Sequence, residues 1–162
     1  MKPTDMEQVC ALLAKLHIET PYRCIAPDWP TIINALQAAT VMRAGLVLVA
    51  EHAGEITGVM MAVAQPLWWV DQQQGARVAS DMVFYSRRYG DGRKMLRKMV
   101  EWAFASPRVV RIEMAVSSGQ AGSRVMKRLY ESEGFTLEGM MFVLNHPRYQ
   151  SVLDEAESAR AA

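Results

Sequence analysis

Hydrophobic residues recur at helical spacing near the start of the chain, where Val9, Leu12, Leu13 and Leu16 fall on one face behind Thr4 or Asp5 as a cap. A second helix is predicted over Thr31 to Met42, opened by Asp28 and Pro30, with Pro21, Pro27 and Pro30 punctuating the link. The period shortens at Gly45. Leu46 to Ala50 is a short apolar run, His52-Ala53-Gly54-Glu55 is a turn, and Ile56 to Val63 is a second apolar run, which together predict a β-hairpin. Gln65-Pro66 ends the second strand and Asp71 to Gly75 is a polar loop. Arg77 to Tyr85, with Val78, Met82, Val83 and Phe84, predicts a third strand that completes an antiparallel meander.

Helical spacing returns after Gly92. Met95, Leu96, Met99, Val100 and Ala103 share one face, and Arg93, Lys94, Arg97, Lys98 and Glu101 take the other. Pro107 stops this helix, Val109 to Val116 predicts a strand, and Ser117 to Gly122 is a loop of small residues. A further helix is predicted over Ser123 to Glu133 with Val125, Met126, Leu129 and Tyr130 inward, ended by Gly134 and followed by a strand from Phe135 to Leu144. The strand, helix, strand order implies a crossover connection. The fold class is α/β with a mixed α+β sheet. Residues 1–150 are expected to form a single domain, and 151–162 a polar tail, either a loose helix or frayed.

Composition narrows the function classes. The chain has 162 residues, 51% of them hydrophobic, enough to bury a core and offset the ordering entropy. Its 18 Lys and Arg against 17 Asp and Glu leave a net charge of +1, so nucleic acid or an anionic membrane is not expected as the main partner and any basic site must be local. Cys10 and Cys24 are too few for a disulfide framework or a four-ligand zinc site, and both are expected to be buried or free thiols. The methionine-rich strands take their Met60-Met61 and Met140-Met141 pairs as core filler, and no metal site is expected. No run reaches the roughly 18 apolar residues of a membrane span, and no signal-peptide core is present, so the expectation is a cytoplasmic protein.

The most informative stretch is Met82 to Lys94, MVFYSRRYGDGRK, in which an apolar strand runs through a glycine-containing turn into an amphipathic helix. The first-turn N–H groups of a helix lack intrahelical partners and the helix dipole favours negative charge there. Glycine lets the backbone approach an anion, and Arg87, Arg88, Arg93 and Lys94 can add charge-assisted hydrogen bonds to phosphate or pyrophosphate. The alternative is a plain loop with solvated basic residues. No GK[ST] follows and the three-glycine dinucleotide fingerprint is lacking.

Arg87-x-x-Gly90-x-Gly92, after a strand and at the start of a helix, resembles the (Q/R)xxGx(G/A) motif of the GCN5-related N-acetyltransferase (GNAT) superfamily. Ser123 to Phe135, SRVMKRLYESEGF, resembles that family's Asn-x-x-Ala-x-x-Leu-Tyr-x-x-x-Gly-Phe segment. The resemblance covers roughly Gly45 to Leu144 and implies a GNAT-like acyl-CoA N-acyltransferase fold, with two N-terminal helices, the meander, then helix-strand-helix-strand, and a truncated first strand. It further implies an acetyl-CoA-dependent enzyme that transfers an acetyl group to a primary amine of a small-molecule or peptide acceptor by direct attack. The cofactor would lie where two parallel strands splay, one ending near Met82 and the other near Val116. Backbone groups around Ser80, Asp81 and Met82 would hold the pantetheine and the thioester carbonyl. Arg87, Arg88, Tyr89, Gly90, Asp91, Gly92 and Arg93 would hold the pyrophosphate, with Ser123 as a further cofactor contact. Tyr130 is the implied proton donor to the leaving thiolate, or else a core tyrosine with a satisfied hydroxyl.

Two carboxylates are candidate general bases, Asp81 on the strand feeding the first motif and Glu113 on the next, each with a solvent-facing role as its alternative. Asp91 stands where the family usually has an apolar residue, and its charge beside a pyrophosphate is unfavourable unless it faces away as a helix cap. Ser123 stands where the family commonly has asparagine. Of Trp68 and Trp69, one is expected in the core and the other is a candidate acceptor lip or homodimer contact. His17, Glu19, Tyr22 and Arg23 are acceptor-side candidates by position, and His52 and His146 are expected to be solvated. The alternatives to an enzyme are a non-catalytic GNAT-fold interaction or regulatory protein that binds CoA as a structural ligand, and a phosphate-ligand protein unrelated to CoA.

Overall fold

The computed structural model describes residues 1–20, 22–69, 75–116 and 120–138, without the side chains of 120–123. A 3-10 turn, Pro3–Asp5, leads into α1 (Met6–Glu19), and α2 (Trp29–Val41) follows. Then come β1 (Gly45–His52), β2 (Glu55–Pro66), β3 (Arg77–Ser86), α3 (Asp91–Phe104), β4 (Val109–Glu113) and α4 (Gln120–Ser132). The chain packs as two compact units. One comprises Met1–Leu16 and Asp28–Ala115, the other His17–Pro27 and the chain from Val116 onward.

Among the described residues the first unit holds a four-stranded sheet in the order β1-β2-β3-β4, antiparallel across the first two junctions and parallel across the third. The parallel pair is joined by α3, as a crossover requires. Val59 and Met60 are neighbours on β2, so their side chains point to opposite faces, and both are completely buried. The sheet is therefore covered on both sides. Val59 joins Val9, Leu12, Leu36, Ala39, Val47 and Ile56 in the cluster under α1 and α2. On the other side Met95 of α3 lies against Gly58, and Met95, Leu96, Met99 and Ala103 form the buried stripe of that helix.

Local chemistry sets the element ends. Asp28 caps α2, its carboxylate accepting from the Thr31 N–H at 3.2 Å and the Thr31 hydroxyl at 2.7 Å, so the helix begins at Trp29 rather than Thr31. Those two bonds, the hydroxyl's first, hold the Asp28 carboxyl below its ordinary range. At the β1–β2 turn Ala53 and Gly54 take positive φ of 52° and 81°, the twist a tight hairpin needs. β4 stops at Glu113, three residues before the expected Val116, because its pairing with β3 ends there.

In the second unit α4 begins at Gln120 rather than Ser123. Val125 is exposed and not inward as the periodicity suggests. The inward stripe is narrow, passing through Met126, Leu129 and Tyr130, and Val125 is turned about 100° from Met126 round the helix. The helix ends in a Schellman turn: Gly134 adopts φ of 87° and the Phe135 N–H donates to the Tyr130 carbonyl at 3.0 Å. Of the strand expected over Phe135 to Leu144, residues 135–138 are not in a strand and the rest lie outside the described residues, as do Met140, Met141, His146 and the 151–162 tail. Cys10 and Cys24 are partly buried free thiols, and burial pushes the Cys10 thiol up.

Gly45, at the start of β1, lies so close to α2 that an added Cβ would stand 2.5 Å from the Ala39 carbonyl oxygen and 2.8 Å from its Cα. Gly45→Ala is expected to destabilise the fold by about 1–3 kcal/mol, because backbone rather than a mobile side chain must move. Denaturant unfolding measures this, and an unchanged midpoint would contradict the packing.

Candidate functional site

Two structures in the first unit coincide with the sequence-derived site. The first is the turn between β3 and α3. Gly90 precedes the helix with φ of 87°, a left-handed conformation that suits glycine, and nothing lies within 4 Å of the place a Cβ would take. The Ser86 hydroxyl donates to the Arg88 carbonyl at 3.0 Å and the Asp91 N–H to the same carbonyl at 3.3 Å, which folds the turn tightly. The first rung of the helical ladder runs from Lys94 N–H to the Gly90 carbonyl at 3.2 Å. The N–H groups of Gly92 and Arg93 precede that rung and point along the dipole of a 14-residue helix.

Charge around the turn is unevenly placed. Arg88, Arg93 and Lys94 are exposed, and Tyr89 is fully so. Arg87 pairs with Glu55 of the hairpin at 3.3 Å, an exposed ion pair that contributes little stability but ties the guanidinium to β2. Asp91 is buried, and its carboxylate accepts a hydrogen bond from the Thr57 hydroxyl at 2.9 Å. The acid is thus directed into the sheet–helix interface, which resolves the electrostatic objection to its place in the motif.

The second structure is a break in the parallel pair. β3 and β4 pair from Arg77 opposite Val109, through a one-residue shift at Val110, to Ser80 opposite Glu113, and there the pairing stops while β3 continues to Ser86. On its other edge β3 pairs with β2 throughout, except that Met61 opposes Val83 and Ala62 opposes Asp81, which leaves Met82 as an inserted, bulged residue with an exposed side chain. Just past the break the Asp81 carboxylate reaches across and accepts from the Ala115 N–H at 3.4 Å, where a ladder bond would otherwise lie. At Asp81 and Met82, the edge of β3 that faced β4 has no strand partner among the described residues.

Asp81 is therefore a half-buried carboxylate at the strand junction rather than a solvent-facing one. Burial pushes its carboxyl above the ordinary range, opposed by the N–H bonds from Ala115 and from its own backbone. Glu113, the other candidate base, is exposed and ion-paired to Arg111 at 3.0 Å. Ser80 is the last residue of the parallel register.

The remaining candidates belong to other elements. Tyr130 belongs to the second unit, where it is buried, and its ring lies 5.6 Å from that of Phe135, the apolar contact that accompanies a Schellman turn. The Tyr-x-x-x-Gly-Phe spacing thus has a helix-ending role in itself. Ser123 lies in α4 with its side chain outside the described residues. His17 Nε2 stands 2.8 Å from the Ile25 carbonyl oxygen, a contact that holds the link between α1 and α2, while Tyr22 and His52 are exposed. Trp68 and Trp69 are both exposed and pack edge to face with ring centres 5.4 Å apart. The expectation that one is core is overturned: they follow Pro66 at the end of β2, beyond the part of the strand that α3 covers. Among the described residues no group of His, Cys, Asp and Glu could hold a metal, and no helix is long and apolar enough to cross a membrane.

Thr57 escaped the sequence reading. It is a buried polar residue in an otherwise apolar strand, and that contrast was the available signal.

No family model and no curated protein matches the sequence. Solved structures do match. A predicted acetyltransferase from Clostridium acetobutylicum, solved with acetyl-CoA, superposes with a TM-score of 0.65 and 16% identity, over 90% of this chain and 92% of that one. The apo aminoglycoside antibiotic 6'-N-acetyltransferase AAC(6')-IG from Acinetobacter haemolyticus gives 0.63 and 14%, over 90% and 94%. A ribosomal-protein-alanine N-acetyltransferase from Brucella melitensis gives 0.59 and 17%, over 90% and 96%.

The raised Asp81 carboxyl has a consequence for stability. Its protonated form is the one the folded state prefers, so its contribution is fully present below the unfolded value of about 3.9 and is lost as pH rises through the folded value. Asp81→Asn, uncharged at every pH, should therefore gain in Tm on the parent chain as pH rises through the acid range and then keep a constant margin. Paired thermal melts across pH check this, and a difference that shrinks with rising pH would contradict it.

Proposed function

We propose that this chain, which has the fold of the GCN5-related N-acetyltransferases, binds acetyl-CoA and transfers its acetyl group to a primary amine. The observation that carries the proposal is the succession, within one stretch of chain, of an unpaired strand edge at Asp81–Met82 and a helix N-terminus behind a left-handed glycine. An extended ligand with amide groups matches the first and a pyrophosphate matches the second. The residues present fit CoA in both respects. Backbone groups of Ser80, Asp81 and Met82 would hold the pantetheine. The turn from Arg88 through Gly90 to Gly92 and Arg93 would hold the pyrophosphate, with Arg87 beside it.

When bound, the cofactor supplies an activated acetyl group as a thioester. The acceptor nitrogen must be deprotonated to attack it, and Asp81 is the carboxylate in place to accept that proton, directly or through water, its affinity for a proton already raised by burial. Tyr130 takes the proton-donor role that its place in the motif implies. Because its ring also packs on Phe135, substitution by phenylalanine removes the hydroxyl while keeping the ring contact. The acceptor is a small-molecule or peptide amine. Aminoglycoside and ribosomal-protein acetyltransferases share the fold, and the nearly neutral chain selects neither.

Calorimetric titration with acetyl-CoA and with CoA tests the proposal: micromolar binding is expected, and no heat at millimolar ligand would overturn it. Gly90→Val, forced out of the left-handed conformation, should weaken binding at least tenfold without loss of helical circular dichroism. With the best acceptor from an amine panel, Tyr130→Phe should lower kcat by about 10- to 100-fold and leave CoA affinity unchanged. Normal turnover would remove the proton-donor role.

A further inference from the structure

We infer that Thr57 is a positioning residue for the anion-binding turn, pinning it at both ends and keeping the Asp91 carboxylate away from the N–H groups of its own helix. The inference rests on the turn as the cofactor's pyrophosphate site.

The pin begins with an irregularity in β2. Ala50 pairs with Gly58 and Glu51 with Ile56, so Thr57 is an inserted residue in the β1–β2 ladder. A bulge lets a side chain be aimed away from regular pairing, and here the hydroxyl is aimed at the turn, while the Thr57 backbone keeps the last ladder bond of β2 with β3. The Thr57 carbonyl accepts from the Arg87 N–H at 2.8 Å, where the turn leaves β3. The Thr57 hydroxyl donates to Asp91 Oδ2 at 2.9 Å, where the turn enters α3. The Ala50 carbonyl, at 3.3 Å, is the poorer acceptor for the same hydrogen. Thr57 and Asp91 are the buried polar or charged residues of the described core, which makes their bond one that water cannot replace.

Asp91 is the first residue of α3, and a carboxylate in the first turn of a helix is itself a good ligand for the exposed N–H groups there. Released from Thr57, it would compete with an incoming phosphate for Gly92 and Arg93. Held by Thr57, it leaves them to the ligand and fixes the start of the helix relative to β2. The carbonyl bond to Arg87 persists in any Thr57 variant, so the hydroxyl can be tested alone.

The test compares Thr57→Val, which keeps the shape and loses the hydroxyl, with Thr57→Ser, which keeps the hydroxyl. Calorimetry with CoA should show about tenfold weaker binding for the valine variant and near-parental binding for serine. With S-acetylpantetheine, which lacks the diphosphate, KM should change less than twofold in either variant, and kcat at saturation should hold. Equal CoA affinity in the valine and serine variants would overturn the inference. So would a valine-variant loss that is the same for S-acetylpantetheine as for CoA, because a general loss of structure predicts that. If the valine variant fails to fold, Thr57→Ala carries the same comparison. Failure of the parent chain to bind CoA would instead overturn the proposed function, so the two outcomes are distinguishable.

Discussion

When one strand of a parallel pair continues after its partner has left, its hydrogen-bonding edge stays open. Here β3 runs on past Ser80, the last position paired with β4, and Asp81 and Met82 have no strand partner on that edge among the described residues. The geometry of the candidate site follows from that parting. The Asp81 side chain spans it to Ala115, so the two segments are held at side-chain rather than backbone distance. The bulge at Met82 shifts the register with β2 by one residue, and β3 stays paired with β2 on both sides of it. β3 then delivers the chain straight into the turn and the N-terminus of α3, so the unpaired edge at Asp81–Met82 and the start of a helix follow one another along the chain.

The second constraint is that such a turn must be held without filling it. Ion pairing does little, since Arg87 and Glu55 are both well exposed. Buried polar bonding does more. β2 contributes a bulge at Thr57 opposite β1, just as β3 contributes one at Met82 opposite β2, and both irregularities serve the same region. Gly58, next to Thr57, lets Met95 pack directly on the sheet and brings the start of α3 within reach of the Thr57 hydroxyl. Backbone geometry, core packing and the site are thus set by adjacent residues of one strand.

The order of elements was legible because hydrophobic periodicity and turn residues agree in most segments. Asp28 with Pro30, Gly54, Gly90 and Gly134 each mark a boundary close to where the structure has one. Ends decided by tertiary pairing were not legible: β4 is shorter than the strand expected over Val109 to Val116 because β3 diverges, and no local signal in that stretch encodes it. Apolar character misled at Val125 and at the paired tryptophans, since a hydrophobic residue is buried only where a neighbouring element covers it. In the site, the glycine turn was visible as a motif, and Asp91 as a misfit within it. Its explanation required Thr57, 34 positions earlier, a contact that no local reading supplies. The helix-ending role of Tyr130 follows from its bond and ring contact with Phe135, which adds a physical reason for the spacing beside its proposed chemistry.

In the proposed function one continuous stretch, from the open edge of β3 to the first turn of α3, receives the cofactor. Amide hydrogen exchange, measured residue by residue with and without saturating CoA, tests this most directly. Slowed exchange concentrated at Asp81–Met82 and at Gly92–Arg93, with the β1–β2 hairpin unchanged, is the predicted result. Protection confined to other segments, or none at these amides under conditions where CoA is bound, would contradict it.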